Sequence, residues 1–396
     1  MEYQFSERIK TIKASAIREI FKLTADPAVI SFAAGNPSPD AFPVESVREI
    51  TADILQNEPV EALQYNITEG YLPLRNYVKE TLLPAIGSFN PERDDAIIVT
   101  GGQQGIDLTC KVLCNEGDTV LCENPSFVGA LNAIKAYNTN LVGIDLDGDG
   151  VNLEQLEKAL KTEKNVKIFY TIPTFQNPSG ITATLEKRKA VYELCKKYGV
   201  LILEDNPYGA LRFEGEDVPT IKSLDTDGIV IYAGSFSKVL SPGIRVGFLS
   251  LPKEICAKVV VAKQVNDVHT NILAQMIAYN FVTKYNFDAH LERLRALYRR
   301  KCAFMLEQMD KYFDPRVTFT RPQGGLFLWA TLPEDVDMMQ FTRDAVAKKV
   351  AVVPGSAFLP HEETMISHSF RLNFSMPSEE QIETGIKILG EMTHAL

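Results

Sequence analysis

From about Asp95 to Leu251, short apolar and β-branched runs alternate with segments of helical periodicity. The runs are Ala96 to Thr100, Thr119 to Glu123, Leu141 to Leu146, Val166 to Pro173, Val200 to Asp205, Ile229 to Ala233 and Val246 to Leu251. This alternation marks α/β winding, and runs so continuously apolar suit strands covered on both faces by helices. Gln103 to Asn115, Ser126 to Asn138 and Thr184 to Tyr198 supply such helices, so the pattern predicts a mostly parallel sheet. Ligands of open α/β sheets collect beyond the carboxyl ends of the strands. The segments after Thr100, Pro173, Asp205 and Ala233 are therefore where chemistry is sought.

Further along, Lys253 to Lys284 and Phe287 to Phe313 read as long helices, the second leading into a smaller unit. In that unit Val317 to Leu332, Val350 to Pro354 and Ser369 to Ser375 read as strands, and Asp337 to Lys349 and Ser378 to His394 as helices. The N-terminal segment, Met1 to about Phe42, contains Gly35-Asn36-Pro37-Ser38-Pro39 and reads as an arm plus a loop. No internal repeat or low-complexity tract interrupts the pattern.

Composition narrows the class. The chain has 396 residues, 45% hydrophobic and 23% charged, which excludes disorder, collagen and coiled coil and allows a large domain with a smaller one. Lys plus Arg number 41 against 51 Asp plus Glu, a net charge of −10, which argues against a nucleic-acid surface spread over the whole chain and leaves room for a local anion pocket. No apolar run approaches the roughly 20 residues of a membrane-spanning helix. Met1 to Lys10 mixes charges without a hydrophobic signal core, so a cytoplasmic location is expected. Six cysteines without a Cys-x-x-Cys pair, and five histidines without His-Glu-x-x-His, give no disulfide framework and no metal motif.

Four segments carry chemistry. After Thr100 comes Gly101-Gly102-Gln103-Gln104-Gly105 and then a helix whose first amides lack intrahelical partners, an arrangement that binds phosphate. A bare glycine turn is the plainer reading. A dinucleotide fingerprint, for which Glu123 would be the ribose-binding acid, fails because Gln103 and Ile106 occupy positions that need glycine. Ser235-Phe236-Ser237-Lys238, followed by Arg245, sets hydroxyls and a guanidinium suited to phosphate beside a lysine suited to a carbonyl. Ser235-x-x-Lys238 also matches an acylating motif of penicillin-binding enzymes, but the Ser-Asp-Asn and Lys-Thr-Gly that accompany it are missing. Asp205 closes an apolar strand, so it either meets a cation, such as a protonated pyridine nitrogen, or caps the following turn. Asn177-Pro178-Ser179-Gly180 is a turn whose amide side chain could bond a phenolate oxygen. Together these groups ask for one ligand bearing a phosphate, an aldehyde, a phenolic oxygen and a ring nitrogen: pyridoxal 5′-phosphate.

The chain resembles the class I/II, fold-type I aminotransferases, most closely the branch with 2-aminoadipate, kynurenine and aromatic-amino-acid aminotransferases. The likeness runs from Ala14-Ser15-Ala16-Ile17-Arg18 to the C-terminal helix. It rests on Asn177-Pro178-Ser179-Gly180, Asp205-Asn206-Pro207-Tyr208 and Ser235-Phe236-Ser237-Lys238 with Arg245, whose key residues are spaced by 28, 33 and 7. The resemblance implies an α/β fold with a large domain, residues 43–290, built on a mostly parallel seven-stranded sheet. It also implies a small α/β domain, residues 291–396, joined by the arm and substrate loop of residues 1–42.

The same resemblance makes Lys238 the lysine that condenses with the cofactor aldehyde and then serves as base, and Asp205 the partner of the pyridine nitrogen. Asn177 and Tyr208 hold the ring oxygen. The Gly102 and Gln103 amides, Ser235, Ser237 and Arg245 bind the phosphate. Phe127, in Asn124-Pro125-Ser126-Phe127, stacks on the ring; many relatives carry tyrosine there, so a hydroxyl contact is missing. Tyr65 matches a tyrosine that reaches the phosphate of the neighbouring subunit, which implies a homodimer. Arg371, in Ser369-Phe370-Arg371-Leu372, matches the arginine that grips the substrate α-carboxylate, with the Gly35 amide beside it and Asn177 also in contact. Arg18 is a candidate contact for a distal carboxylate, the other reading being a surface arginine. The implied activity is ping-pong transfer of an amino group from a 2-aminoadipate, aromatic or branched-chain L-amino acid to a 2-oxo acid such as 2-oxoglutarate. A carbon-sulfur lyase on the same fold and a ligand-sensing module are the alternatives.

Overall fold

The computed structural model describes residues 3–10, 28–362 and 364–396. All seven apolar runs form strands of one sheet. Its order is Asp94–Val99, Gly247–Pro252, Val230–Ser235, Leu201–Asp205, Val166–Thr171, Thr119–Asn124, Asn140–Asp147 and Gly150–Val151. The sheet therefore has eight strands rather than the expected seven, the addition being a two-residue edge strand that hairpins back on Asp147. The pairings from Val230–Ser235 across to Asn140–Asp147 are parallel, whereas Gly247–Pro252 runs antiparallel to both of its neighbours.

Period-two alternation sends the strand side chains into two cores. Ile168, Tyr170 and Leu203 join the larger one, and Phe169, Ile202, Leu121 and Val230 the other. The register Tyr170↔Leu203 and Asp205↔Ala233 brings the carboxyl ends of the three central strands level. Turns leaving those ends, carrying Asn177, Asp205 and Lys238, consequently meet at one edge. The helix Leu185–Tyr198 is capped by the Thr184 hydroxyl and stopped by Gly199 in the left-handed region, φ 68°.

Two helical readings change. Lys253 to Lys284 is not one helix but two, Lys253–Gln264 and Ile272–Lys284, separated by a turn with Val268 at φ 66° and reopened by the Asn271 side chain capping the Ala274 amide. The glycine-rich helix begins at Gly101, two residues before the expected start. Phe287–Tyr312 is a single long helix.

The C-terminal part holds an antiparallel sheet in the order Thr318–Phe319, Phe327–Thr331, Ser369–Asn373, Val353–Pro354. The run Val317 to Leu332 is thus two strands parted by a loop with Gly324 and Gly325, and Val350 to Pro354 divides between two sheets. Ile30–Ser31 pairs in parallel with Val350–Ala351, which ties the N-terminal segment to this unit. The last helix, Glu379–His394, opens with a capping box of Ser378 and Gln381.

Candidate active site

The helix Gly101–Leu113 starts against two strands at a point where backbone packs on backbone. A Cβ on Gly247 would lie 2.9 Å from the Gly234 carbonyl oxygen and 3.1 Å from the Gly101 carbonyl carbon. Gly101 itself has φ +73°, and a Cβ there would collide with the Arg245 guanidinium. Glycine at both positions lets the helix start, Ser235 and Arg245 crowd together. Arg245 donates from Nη1 to the Pro242 carbonyl at 3.2 Å and from Nη2 to the Thr100 carbonyl at 3.4 Å, and the Ser235 hydroxyl accepts from the Ser237 amide at 3.1 Å. The Gln103 side chain turns away to the Gly129 carbonyl, 2.7 Å, which leaves its backbone amide as the group available in the first turn. This combination of helix amides, hydroxyls and a guanidinium fits a phosphate.

Asp205 lies 6% exposed at the end of its strand. Its Oδ2 accepts from the Tyr170 hydroxyl at 2.8 Å, a contact set by the sheet: Tyr170 is level with Leu203, and Asp205 is the next residue on that face. Its Oδ1 lies on the side of Gly102, 3.8 Å from where a Cβ on that glycine would be. Burial pushes the carboxyl up to about 6 although the Tyr170 bond lowers it. Among the described residues no lysine or arginine pairs with this carboxylate, which leaves it suited to a cationic partner such as a protonated ring nitrogen.

Lys238 stands on the turn after Val230–Ser235, partly buried, with Nζ donating to the Gly35 carbonyl at 2.9 Å and lying 6.0 Å from the centre of the Tyr208 ring. Burial, with Arg371 and Arg245 nearby, brings its ammonium down to about 8, where a neutral amine is accessible. Tyr208 is buried edge-on to Phe327 at 5.9 Å, and burial raises its hydroxyl.

Arg371 faces the same cleft from the small sheet. It is 3% exposed, packs over Phe327 and Phe358 at 4.2 and 4.9 Å, and donates from Nη1 to Asn177 Oδ1 at 2.9 Å and from Nη2 to the Ala33 carbonyl at 2.8 Å. Its Nε is buried without a hydrogen-bond partner. Burial brings the guanidinium down to about 10. A buried cation with no carboxylate beside it among the described residues is suited to receive one.

The expected residues do not all converge equally. Contacts join Lys238 to Gly35 and Tyr208, and Arg371 to Asn177, while Asp205 lies on the side of Gly102 at the helix start around which Gln103, Ser235, Ser237 and Arg245 are gathered. Gly35 meets Lys238 through its carbonyl rather than its amide, and a Cβ there would sit in ordinary contact, 3.6 Å from Phe327. Phe127 is half-buried at the head of Val128–Lys135, with its ring and the Gln103 side chain both packed against Gly129. Tyr65 is 80% exposed and touches His269 edge-on at 5.9 Å, apart from this cleft. Arg18 lies outside the described residues. Tyr170, Phe327 and Phe358 contribute to the site without having been singled out in the sequence; only strand alternation could have placed Tyr170 beside Asp205.

Comparison with known proteins gives concordant matches. The family model described as aminotransferase class I and II matches residues 27–389. The chain is 42% identical to aromatic-amino-acid aminotransferase 1 of Thermococcus litoralis over 98% of this chain and 94% of that one. Its fold superposes with a TM-score of 0.94 on a Pyrococcus horikoshii kynurenine aminotransferase solved with PMP, 38% identical over 99% and 97% of the two chains. It superposes with a TM-score of 0.90 on a Thermus thermophilus alpha-aminoadipate aminotransferase complexed with N-(5′-phosphopyridoxyl)-L-leucine, 37% identical over 99% and 97%.

Proposed function

Because the chain belongs to the class I and II aminotransferases and moves amino groups with pyridoxal 5′-phosphate, we propose that Lys238, Asp205 and Arg371 are its central working residues. The observation that carries this reading is a pair of buried ionisable side chains, Asp205 and Arg371, that have no ionic partners among the described residues and lie at a cleft that holds Lys238. Asp205, one of whose oxygens accepts from Tyr170, would hold the ring nitrogen in its protonated form. Asn177 and Tyr208 would hold the ring oxygen, and Phe127 would stack on the ring. The Gly102 and Gln103 amides, Ser235, Ser237 and Arg245 hold the phosphate.

When bound, the cofactor supplies an electron sink that makes the substrate Cα–H acidic. The protein does the rest. Arg371 grips the α-carboxylate, trading its neutral contacts for a charge-assisted pair and fixing the substrate in one orientation. Aromatic packing from Phe327 and Phe358 keeps water away from that pair. Lys238 Nζ, whose charged form burial disfavours, acts as a neutral amine that accepts the Cα proton and later returns one. The first product leaves as a 2-oxo acid, its oxygen taken from water, while the amino group stays behind in the site, so a second 2-oxo acid such as 2-oxoglutarate must enter to take it.

Residues 43–290 then form the cofactor domain, and residues 1–42 and 291–396 the part that brings Arg371 to the substrate. Donors of the aromatic, 2-aminoadipate and branched-chain types are the proposed substrate class, supported by the kinds of amino acid named for the relatives. Mixing the cofactor-loaded protein with phenylalanine, kynurenine, 2-aminoadipate and leucine in turn tests this. Each should shift the cofactor absorbance in a single half-reaction; a shift with none of them, and with aspartate or alanine alone, would remove the substrate assignment.

A homodimer is the proposed assembly. Val60, Leu63, Tyr65 and Ile67 are 75, 72, 80 and 50% exposed, and Val265 and Val268 are 75 and 46% exposed. The Tyr65 to His269 contact joins the two stretches into one apolar face. In such a pair Tyr65 reaches toward the partner's phosphate.

A further inference from the structure

Glu123 fits no step above, yet it is 3% exposed at the end of a central strand and, among the described residues, has no ion pair. Three donors converge on it: the Thr171 hydroxyl on Oε1 at 2.5 Å, and the Ile172 amide and Gln176 Nε2 on Oε2, each at 3.1 Å. Gln176 is fixed in turn. Its Nε2 also donates to the Pro125 carbonyl at 2.8 Å, and with the amide nitrogen so placed, its Oε1 accepts from the Ser179 amide at 2.8 Å and hydroxyl at 2.7 Å. Backbone bonds close the same turn, from the Gly180 amide to the Gln176 carbonyl at 2.6 Å and from the Gln176 amide to the Ile181 carbonyl at 2.8 Å. The turn presents Asn177, whose Oδ1 takes the Arg371 Nη1 bond.

We propose that Glu123 is a positioning residue for the substrate-carboxylate grip: through Gln176 it locks the turn that holds Asn177 against Arg371. The proposal rests on the reading of Arg371 given above. The turn is buried, with Gln176, Asn177 and Ser179 at 2, 3 and 2% exposure, and a grip on a small carboxylate needs its donors fixed to a fraction of an ångström. A buried acid that accepts from two backbone-coupled donors and one hydroxyl supplies that rigidity from the sheet. Neither Glu123 nor Gln176 is argued to touch cofactor or substrate. Their loss should weaken carboxylate binding and leave the later proton movements in place.

The test uses the cofactor-loaded protein and 3-phenylpropionate, a carboxylic acid with no amino group to transfer, with binding read by calorimetry and KM and kcat read separately for phenylalanine. Glu123→Ala should weaken 3-phenylpropionate binding and raise KM by about tenfold, the loss expected when buried partners are left unpaired, with kcat within about threefold of wild type. Glu123→Gln should restore most of the affinity, because its amide oxygen still accepts from Ile172 and Gln176 while its amino group donates to the Thr171 hydroxyl. Gln176→Ala should match Glu123→Ala, and the double variant should be no worse than either, since both break one relay. Should Glu123→Ala not fold, Gln176→Ala alone carries the test. Wild-type affinity in either alanine variant overturns the proposal, as does additivity, or a Glu123→Gln protein as weak as Glu123→Ala. Arg371→Lys separates the two claims. If it binds 3-phenylpropionate like wild type, the reading of Arg371 fails and the relay with it; if it binds weakly while Glu123→Ala binds normally, only the relay fails.

Discussion

Asp205 shows what a single buried carboxylate does to the protein before its cofactor arrives. Its folded value, about 6, lies above its ordinary value of 3.8 because of burial. A group raised on folding adds stability that is fully present below its unfolded value and is lost as pH climbs through the folded one. Between about pH 4 and 6 the cofactor-free protein should therefore lose on the order of 3 kcal/mol through Asp205. Glu123, raised by burial to about 7, has the same sign and extends the loss toward neutral pH. Asp205→Asn should make the cofactor-free protein more stable at pH 7 and flatten its stability between pH 4 and 6, while cofactor binding weakens. Denaturant melts at a series of pH values measure both; a variant less stable than wild type at pH 7 would show that Asp205 is not a destabilised acid. The residues legible in the sequence were those adjacent in the chain, such as Asp205 with Tyr208 and Lys238 with Arg245. Tyr170 and Glu123 act across 35 and 53 positions, on Asp205 and Gln176, and such contacts exist only once the sheet has set its register.

Among the elements, the strands were readable because burial on both faces forces long apolar runs. The break inside Lys253 to Lys284 was not, because apolar periodicity continues on either side of it. What divides the helix is a polar cluster. Lys263, fully buried, donates to Asp267 at 2.8 and 2.9 Å, to Gln104 at 2.8 Å and to Thr270 at 3.0 Å. Asp267 accepts from Thr100 at 2.9 Å and from Gln104 at 2.6 Å, and the Thr100 amide donates to Gln104 at 2.7 Å. The turn is thereby bolted to the start of the phosphate-facing helix. Lys263→Met leaves the partly exposed Asp267 without its cation and should destabilise the protein by about 1–3 kcal/mol. It should also weaken cofactor binding, since Thr100 and Gln104 lose their anchor. Urea unfolding and a cofactor titration read the two effects; unchanged cofactor affinity in a destabilised protein would confine Lys263 to a purely structural role.

At the scale of the whole molecule, two sheets and the N-terminal strand meet around one cleft, so that Gly35, Lys238, Asn177 and Arg371 come from four separate stretches of chain. The large sheet was foreseeable in outline, with its short eighth strand hidden because two residues carry no periodicity. The apolar face around Leu63 and Val265 gave no signal in the sequence, where exposed and buried hydrophobic residues look alike. Leu63→Asp places a charge on that face and should shift the protein to a monomer with weaker cofactor retention; sedimentation that finds an unchanged dimer would move the interface elsewhere.

The most direct test of the central claim follows the visible absorbance of the cofactor-loaded protein through the addition of an amino acid and then of 2-oxoglutarate. Wild-type protein should shift its band with the donor and recover it with the acceptor. Lys238→Ala should do neither at a measurable rate, although Asp205 and Arg371 remain in place. A reversible shift in Lys238→Ala at the wild-type rate would contradict the account, because the cleft would then be moving the amino group without the amine on which this reading rests.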